Sequence, residues 1–421
     1  MTLPGSTTTR RRFLIGSGAV AGSAVLLRPS AARLAFATPN EPARGDATVV
    51  IFLRFGADGL SLTPPIGAAF DSYRALRPTL HMTPDQALPL DSSNTNAQFP
   101  QGLSGVVGLH PALSGLYESV WASGQMAVLP ASGMPDSEST TRSHFEAQEH
   151  VELGTANRSV RNGWLTRVTD GQPPSAPVPG VTTSSGNPTM YRGSTESFSV
   201  TNLSNFGVSG YRRSQDATEA LQAMYGGPGL VNTVGRSTLG VVNALGAVNS
   251  DGGSGYPNTT FGGDLRDVAN LLRSNVGLTT ALVSTGGWDH HSDQGTLNGQ
   301  FNDRVTELGD GLTAFVNDLG PALNETTIYV ISEFGRTIDE NSARGTDHGR
   351  GGTSFVIGGG VQGGVFGYDY PDLIEDTNEN RRALPVLTDY RKAFDEVLSA
   401  RSGVQGSFPT LGNLPDLGLV R

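Results

Sequence analysis

The sequence predicts an α/β fold, with a largely parallel central sheet flanked by helices on both faces and interrupted by inserted loops. Three observations lead there. Thr48–Leu53 is a continuous apolar, β-branched run, the signature of a strand buried on both faces. Further short runs at 126–131, 279–284, 327–332 and 354–357 alternate with helical patterns at 110–121, 143–153, 264–274, 298–318 and 389–398. No internal repeat competes with this reading.

Each element has local punctuation. Pro111 opens the helix after His110, since proline at the first helical position loses no hydrogen bond. The pattern from Ser143 runs to Leu153 and is stopped by Gly154. Residues 80–105, rich in Pro, Asn, Ser and Gln, read as a long surface loop. Residues 171–210 are dense in Pro, Gly, Ser and Thr and read as mostly irregular or β. Helical patterns at 214–247 are split near Gly226-Gly227-Pro228, and Asn249–Pro257 is a loop. The expected organisation is a leader at 1–37 and a single domain from 38 to 421, with an irregular insertion at about 171–260.

The leader reads as a twin-arginine export signal. Arg10-Arg11-Arg12 precedes an uncharged apolar run from Phe13 to Leu27, too short to span a bilayer, and Ala35-Phe36-Ala37 supplies a cleavage site. The mature chain is then expected to be periplasmic, cell-wall-associated or extracellular, with no stable transmembrane anchor. Five of the 29 basic residues lie in the leader and none of the 39 acids do, so the mature chain has 24 basic residues and a net charge of −15. That balance argues against a nucleic-acid partner. The absence of cysteine excludes disulfides, thiolate metal sites and cysteine nucleophiles. Lys392 is the only lysine, which leaves one candidate for Schiff-base chemistry.

In parallel sheets, ligands bind at the carboxyl ends of the strands. Polar clusters gather there: Asp58 after the first strand, Trp288-Asp289-His290-His291, Glu333-Phe334-Gly335-Arg336, and Asp347-His348-Gly349-Arg350 in the next loop, with Arg142-Ser143-His144 opening a helix. Four of the seven histidines fall in these clusters. Histidines and carboxylates from separate strand ends are the donor set a cysteine-free chain offers to Zn, Mn, Fe or Ca. Singly, each has a structural alternative. Asp58 suits a turn, Asp289 a helix cap, Glu333 and Arg336 a surface ion pair, and Ser143 with Glu146 a capping box. Ser143 at a helix start is also where a hydroxyl nucleophile would be stabilised, with Ser139 and Thr141 as competitors. Arg54, Arg142, Arg336, Arg344 and Arg350 suit an oxyanion or neutralise the acidic site structurally.

The motifs Leu53-Arg54-Phe55-Gly56-Ala57-Asp58-Gly59-Leu60, Arg142-Ser143-His144-Phe145, Gly286-Gly287-Trp288-Asp289-His290-His291, Ser332-Glu333-Phe334-Gly335-Arg336-Thr337 and Gly345-Thr346-Asp347-His348-Gly349 together resemble the bacterial domain-of-unknown-function family 1501. The likeness runs from about residue 47 to 399. That family is in turn similar to the alkaline phosphatase and sulfatase superfamily. The resemblance implies an alkaline-phosphatase-like sheet and a metal-dependent hydrolase of phosphate or sulfate esters, acting on a small-molecule or polymer ester. It implies Ser143 as nucleophile, with His144 and Arg336 also catalytic. Asp58, Asp289, His291, Glu333, Asp347 and His348 would bind metal, and Arg142 and Arg350 the oxyanion. Phe334 departs from the pattern, standing where the superfamily has a histidine, so one metal position loses a nitrogen unless His144, Asp347 or His290 fills it. The alternative expectation is a non-catalytic exported binding or assembly protein that kept the fold and works with a partner protein encoded nearby.

Overall fold

The computed structural model describes residues 46–94, 103–172, 177–194, 196–205, 214–248, 252–367, 383–412 and 414–421; the expected leader at 1–37 lies outside them. Among the described residues no helix is long and apolar enough to cross a membrane.

The strands that organise the chain are β1 (Ala47–Leu53), β2 (Met126–Gly133), β3 (Gly180–Thr182), β4 (Ser197–Ser199), β5 (Thr280–Thr285), β6 (Thr326–Ser332), β7 (Gly352–Gly358), β8 (Gly364–Val365) and β9 (Thr388–Asp389). They form one sheet in the order β8-β2-β7-β6-β1-β5-β3-β4, with β9 also pairing β2. β1 lies at its centre, parallel to β5 and β6, and all seven of its residues are buried. β7 runs antiparallel to both of its neighbours, β2 and β6. The expected mostly parallel α/β sheet is therefore present.

The helices are α1 (Gly59–Leu62), α2 (Phe70–Leu76), α3 (His144–Leu153), α4 (Trp164–Gly171), α5 (Ser214–Met224), α6 (Leu230–Gly246), α7 (Thr260–Arg273), α8 (Gln300–Leu319) and α9 (Tyr390–Arg401). Successive side chains of a strand point to opposite faces. Val49, Ile51 and Leu53 of β1 thus pack with Leu265 of α7 and Val305 and Phe315 of α8. Val50 and Phe52 pack on the other side with Trp164 of α4 and Phe394 and Val397 of α9. Each such buried side chain contributes roughly 1.5–3 kcal/mol. Helices on both faces are what a continuous apolar strand requires. α3 ends at Gly154, whose φ of 68° places it in the left-handed region and returns its N–H to the last turn.

Two expectations need correction. The segment 80–105 is not simply a surface loop: Leu80, Met82, Ala87, Leu90 and Leu103 are buried, and Leu88–Pro89 pairs with Gly108–Leu109. Residues 111–121 are helical but not one α-helix. A 3₁₀ turn, a short α segment and a π-helical stretch follow one another there. Buried Leu113, Leu116, Val120 and Trp121 take their places in the core despite the change of helical type.

Asp58, expected as a metal ligand, is instead a buried structural anion. Its Oδ2 accepts hydrogen bonds from Ser61 Oγ, Arg77 Nη1 and Gln294 Nε2, each at 2.7 Å, and its Oδ1 accepts from Arg77 Nη2 at 3.0 Å. Arg77 is fully buried and also donates to the carbonyls of Thr337 and Ile338. Burial pushes the Asp58 carboxyl up, but the Arg77 charge and the hydrogen bonds from Arg77, Ser61 and Gln294 outweigh it and leave it below its ordinary value. A depressed native value stabilises the fold above the unfolded carboxyl's titration, about pH 4, and that contribution is lost as pH falls further. Asp58→Asn removes the carboxylate charge that faces buried Arg77 and should cost about 3–5 kcal/mol in denaturant unfolding at pH 7. The gap between variant and wild type should narrow below about pH 4; a gap independent of pH would contradict this account.

Candidate metal centre

The carboxyl edge of the sheet brings five segments together. β1 runs into Arg54-Phe55, β5 into residues 286–291, and β6 into Glu333. α3 begins at His144, after the turn that follows β2. The segment between β6 and β7 doubles back on itself: Gly335 N–H donates to the Arg350 carbonyl and Gly349 N–H to that of Gly335, so Arg336 pairs with His348. This close approach requires glycine. A Cβ at Gly335 would lie 1.9 Å from the Gly351 carbonyl oxygen, and one at Gly349 would lie 2.2 Å from that of Arg336. The segment after β5 is anchored by Trp288, which is buried with its ring edge-on to Phe301.

Three imidazoles converge on Asp289 Oδ1. The Nε2 atoms of His291, His348 and His144 lie 3.0, 3.3 and 3.5 Å from it, and those of His291 and His348 are 3.1 Å apart. Each ring is held from behind at Nδ1. His144 meets Glu333 Oε1 at 2.8 Å, His291 meets Asp347 Oδ1 at 3.0 Å, and His348 meets the Arg142 carbonyl at 2.8 Å. A carbonyl oxygen or ionised carboxylate only accepts, so the Nδ1 atoms carry protons, and a ring deprotonated at Nε2, as a metal ligand must be, would turn a lone pair toward the aspartate. Lone pairs gathered around a carboxylate oxygen repel one another unless a cation lies between them. His144 Nε2 is buried and has no hydrogen-bond partner among the described residues. Burial lowers the affinity of His348 for a proton, and His144 and Arg336 lower it further, against the Arg142 carbonyl.

This donor set fits a metal ion. Zinc–ligand bonds of about 2.0–2.1 Å in a tetrahedron place donor atoms roughly 3.3 Å apart, which the observed separations approach. The candidate ligands are His144, Asp289 and His348, whose donor atoms all lie within 4.8 Å of one another, with His291 adjoining them. A nitrogen-rich set suits Zn, Mn or Fe better than Ca.

The other expected site residues have different places. Glu333 is buried and faces away from the shared oxygen. It accepts from His144, from Gln148 Nε2 at 3.0 Å and, through both carboxylate oxygens, from the Phe55 N–H. It stands behind the His144 ring at Nδ1, as Asp347 stands behind that of His291, the place of a group that orients an imidazole. Arg336 is buried too: Nη1 donates to Asp289 Oδ1 at 2.7 Å, while Nε and Nη2 hold Thr346. It is therefore a brace for the aspartate, neither a surface ion pair nor an open oxyanion clamp. Burial raises the Asp289 carboxyl, but the Arg336 hydrogen bond and charge, with His291 and His144, bring it below its ordinary value. Arg350 is buried and pairs with Asp136. Arg142 contributes its carbonyl to His348, and His290 is buried outside the donor set. Ser143 caps α3 only by position: its side chain makes no capping hydrogen bond, and Glu146 accepts from Thr141 Oγ1 at 2.7 Å instead. The capping-box expectation is therefore not met.

Phe334, where a histidine was expected, stacks on His144 with ring centroids 4.9 Å apart, and Phe55 meets the same ring edge-on at 5.4 Å. His144 is thus held in an aromatic slot between Phe334 and Phe55. Sequence reasoning missed Arg77, Gln294 and Thr346, which connect Asp58 to the centre: Gln294 donates to Asp58 and accepts from Thr346, which accepts from Arg336. No local motif marks Arg77 or Gln294, and Thr346 stands in the Gly345–Gly349 motif without a role assigned to it. Gln148, one turn after His144, was legible only as a neighbour on the same helix face.

Fold and site define an α/β protein with a histidine–aspartate cluster at its strand ends. The chain belongs to the family described as protein of unknown function (DUF1501), whose profile matches residues 130–387. β1 and Asp58 lie outside the matched span. No curated protein matches the sequence. Among solved structures, the lipoteichoic acid synthase LtaP from Listeria monocytogenes is similar at 10% identity and a TM-score of 0.27, over 75% of this chain and 66% of that one. A likeness this loose carries no argument about activity.

Replacing Glu333 by Gln keeps the shape but removes the charge behind His144. Affinity for zinc, measured by competition with a chromophoric chelator, should fall about 10–100-fold. Unchanged affinity would remove Glu333 from the centre.

Proposed function

We propose that the chain is an exported, metal-dependent hydrolase of phosphate or sulfate esters. The observation that carries this reading is the convergence of three Nδ1-anchored imidazoles on Asp289, beside side chains still open to solvent. Asp289 and His291 are 36% and 46% exposed, so a substrate has access from that side. A divalent ion bound there would supply Lewis-acid polarisation of an ester oxygen.

The chain's own residues supply the rest. His144 is fixed by Glu333 at Nδ1 and by Phe334 and Phe55 across its ring. Arg336 holds Asp289 in place, and Thr346 holds Arg336. Ser143, exposed at the start of α3, lies where the first-turn N–H groups favour an anion, which supports it as the hydroxyl nucleophile. Arg142, next to it in sequence, is the cation proposed to face the oxyanion there. The arginine-paired leader supports export, and the mature charge of −15 supports a small or polymeric ester rather than nucleic acid.

The test is elemental analysis of the purified mature chain, followed by a panel of aryl phosphates and sulfates. About one equivalent of a transition metal is expected, with turnover that chelation abolishes and that Asp289→Ala reduces by at least 10²-fold. Chelation should also lower the melting temperature, because ligands that favour the folded state stabilise it. Metal-free protein of unchanged melting temperature, or full turnover in Asp289→Ala, would overturn the proposal. If the Asp289→Ala, His291→Ala double variant complements a deletion strain, the non-catalytic reading takes its place.

A further inference from the structure

Behind Phe334, a second pocket opens between α3 and the turn that follows β2. Ser139, Thr141, His150 and Arg350 line it, with Glu333 and Phe334 forming the wall it shares with the metal centre. We propose that Ser139 and His150 form a nucleophile–base pair in this pocket, with Arg350 holding the tetrahedral oxyanion of a phosphate ester. This rests on the hydrolase reading but moves the attacking hydroxyl from Ser143 to Ser139.

Four observations carry the assignment. Ser139 Oγ and His150 Nδ1 are 2.8 Å apart, the contact a hydroxyl and its base require. Ser139 is half-buried, so it is reachable from solvent, whereas His150 is 8% exposed. Arg350 is 6% exposed, and its Nε is buried without a hydrogen-bond partner among the described residues; Nη2 is taken by Asp136 and the Met134 carbonyl. A buried guanidinium donor with nothing to donate to is costly, and an anion oxygen would satisfy it. Finally, Ser139 is held in place by its neighbour. Glu138 Oε1 accepts from Thr155 Oγ1, the Ala156 N–H and Thr410 Oγ1 at 2.5–2.9 Å, and its carboxylate pairs with Arg391. Preorganisation of this kind is what a nucleophile needs.

Burial holds the His150 imidazole below its ordinary value, with Glu146, Glu149 and Glu138 opposing and Arg158 adding to the effect, so the ring is neutral near pH 7 and able to accept a proton. In the step that follows, Ser139 Oγ bonds to phosphorus as the bond from phosphorus to the leaving alcohol oxygen breaks. The Ser139 proton passes to His150 and on to solvent, and the leaving alkoxide, on the opposite side of phosphorus, takes its proton from water. Water then cleaves the serine phosphoester with His150 again as base, releasing phosphate and restoring Ser139. Nothing beyond ester and water is consumed.

An alkyl fluorophosphonate tests this on the purified chain without knowledge of the substrate. Peptide mass spectrometry should find one adduct, on Ser139. It should be absent in Ser139→Ala and formed at least 10²-fold more slowly in His150→Gln. Unchanged metal content in Ser139→Ala would establish that the variant folds. An adduct on Ser143, no adduct at all, or wild-type labelling in His150→Gln would overturn the assignment. Elemental analysis of the same labelled wild-type sample separates the two sites. A wild-type chain that labels at Ser139 yet binds no metal would sink the metal centre alone.

Discussion

Everything at the carboxyl edge depends on one constraint: three imidazole rings, each pinned at Nδ1 by an acceptor from a different segment, must present Nε2 to a single carboxylate oxygen. Glu333, Asp347 and the Arg142 carbonyl provide the pins, and Asp289 provides the oxygen. A pinned ring has one tautomer and little rotational freedom, so the electrostatic problem of clustered lone pairs has been settled in advance by the fold. The sheet makes this affordable. β1, β5 and β6 are neighbours in parallel register, so their ends deliver side chains to one edge without long connecting loops.

Behind the rings lies a chain of alternating charge and dipole. Asp289 is braced by Arg336, Arg336 by Thr346, Thr346 by Gln294, Gln294 by Asp58, and Asp58 by Arg77. Buried ions are costly singly, and here each is paired and its remaining hydrogen-bonding capacity largely used. Asp58 thus acts on the centre through intermediaries. Its position at the end of the central strand made it look like a ligand, and the same position lets it anchor the innermost layer of the site.

The architecture was legible because it rests on periodicity and punctuation: the unbroken run at 48–53, the glycine at 154, and the histidines gathered after strand ends. The roles within the site were not, because they depend on which way each side chain turns. Glu333 and Asp289 both follow strands, and nothing local distinguishes an acid that faces the shared point from one that faces the back of a ring. Phe334 shows the limit most clearly. In sequence it reads as a missing histidine; in space it is the plate against which His144, 189 residues before Glu333, is stacked. Asp58 and Arg77 were separated by too little pattern to be matched, since an ion pair leaves no trace in hydrophobic period.

The antiparallel strand β7 has a consequence for how the centre comes into being. Because β7 returns beside β6, the segment bearing Glu333, Arg336, Asp347 and His348 is a local hairpin that can close early and cheaply. Asp289 lies 59 residues from His348, and His144 lies farther away still. Those donors arrive only once β5 has docked on β1 and α3 has packed beneath the sheet. The cluster is therefore complete only in a chain whose sheet has closed, and an ion held there would be a record of finished folding, legible from outside by anything that senses the ion.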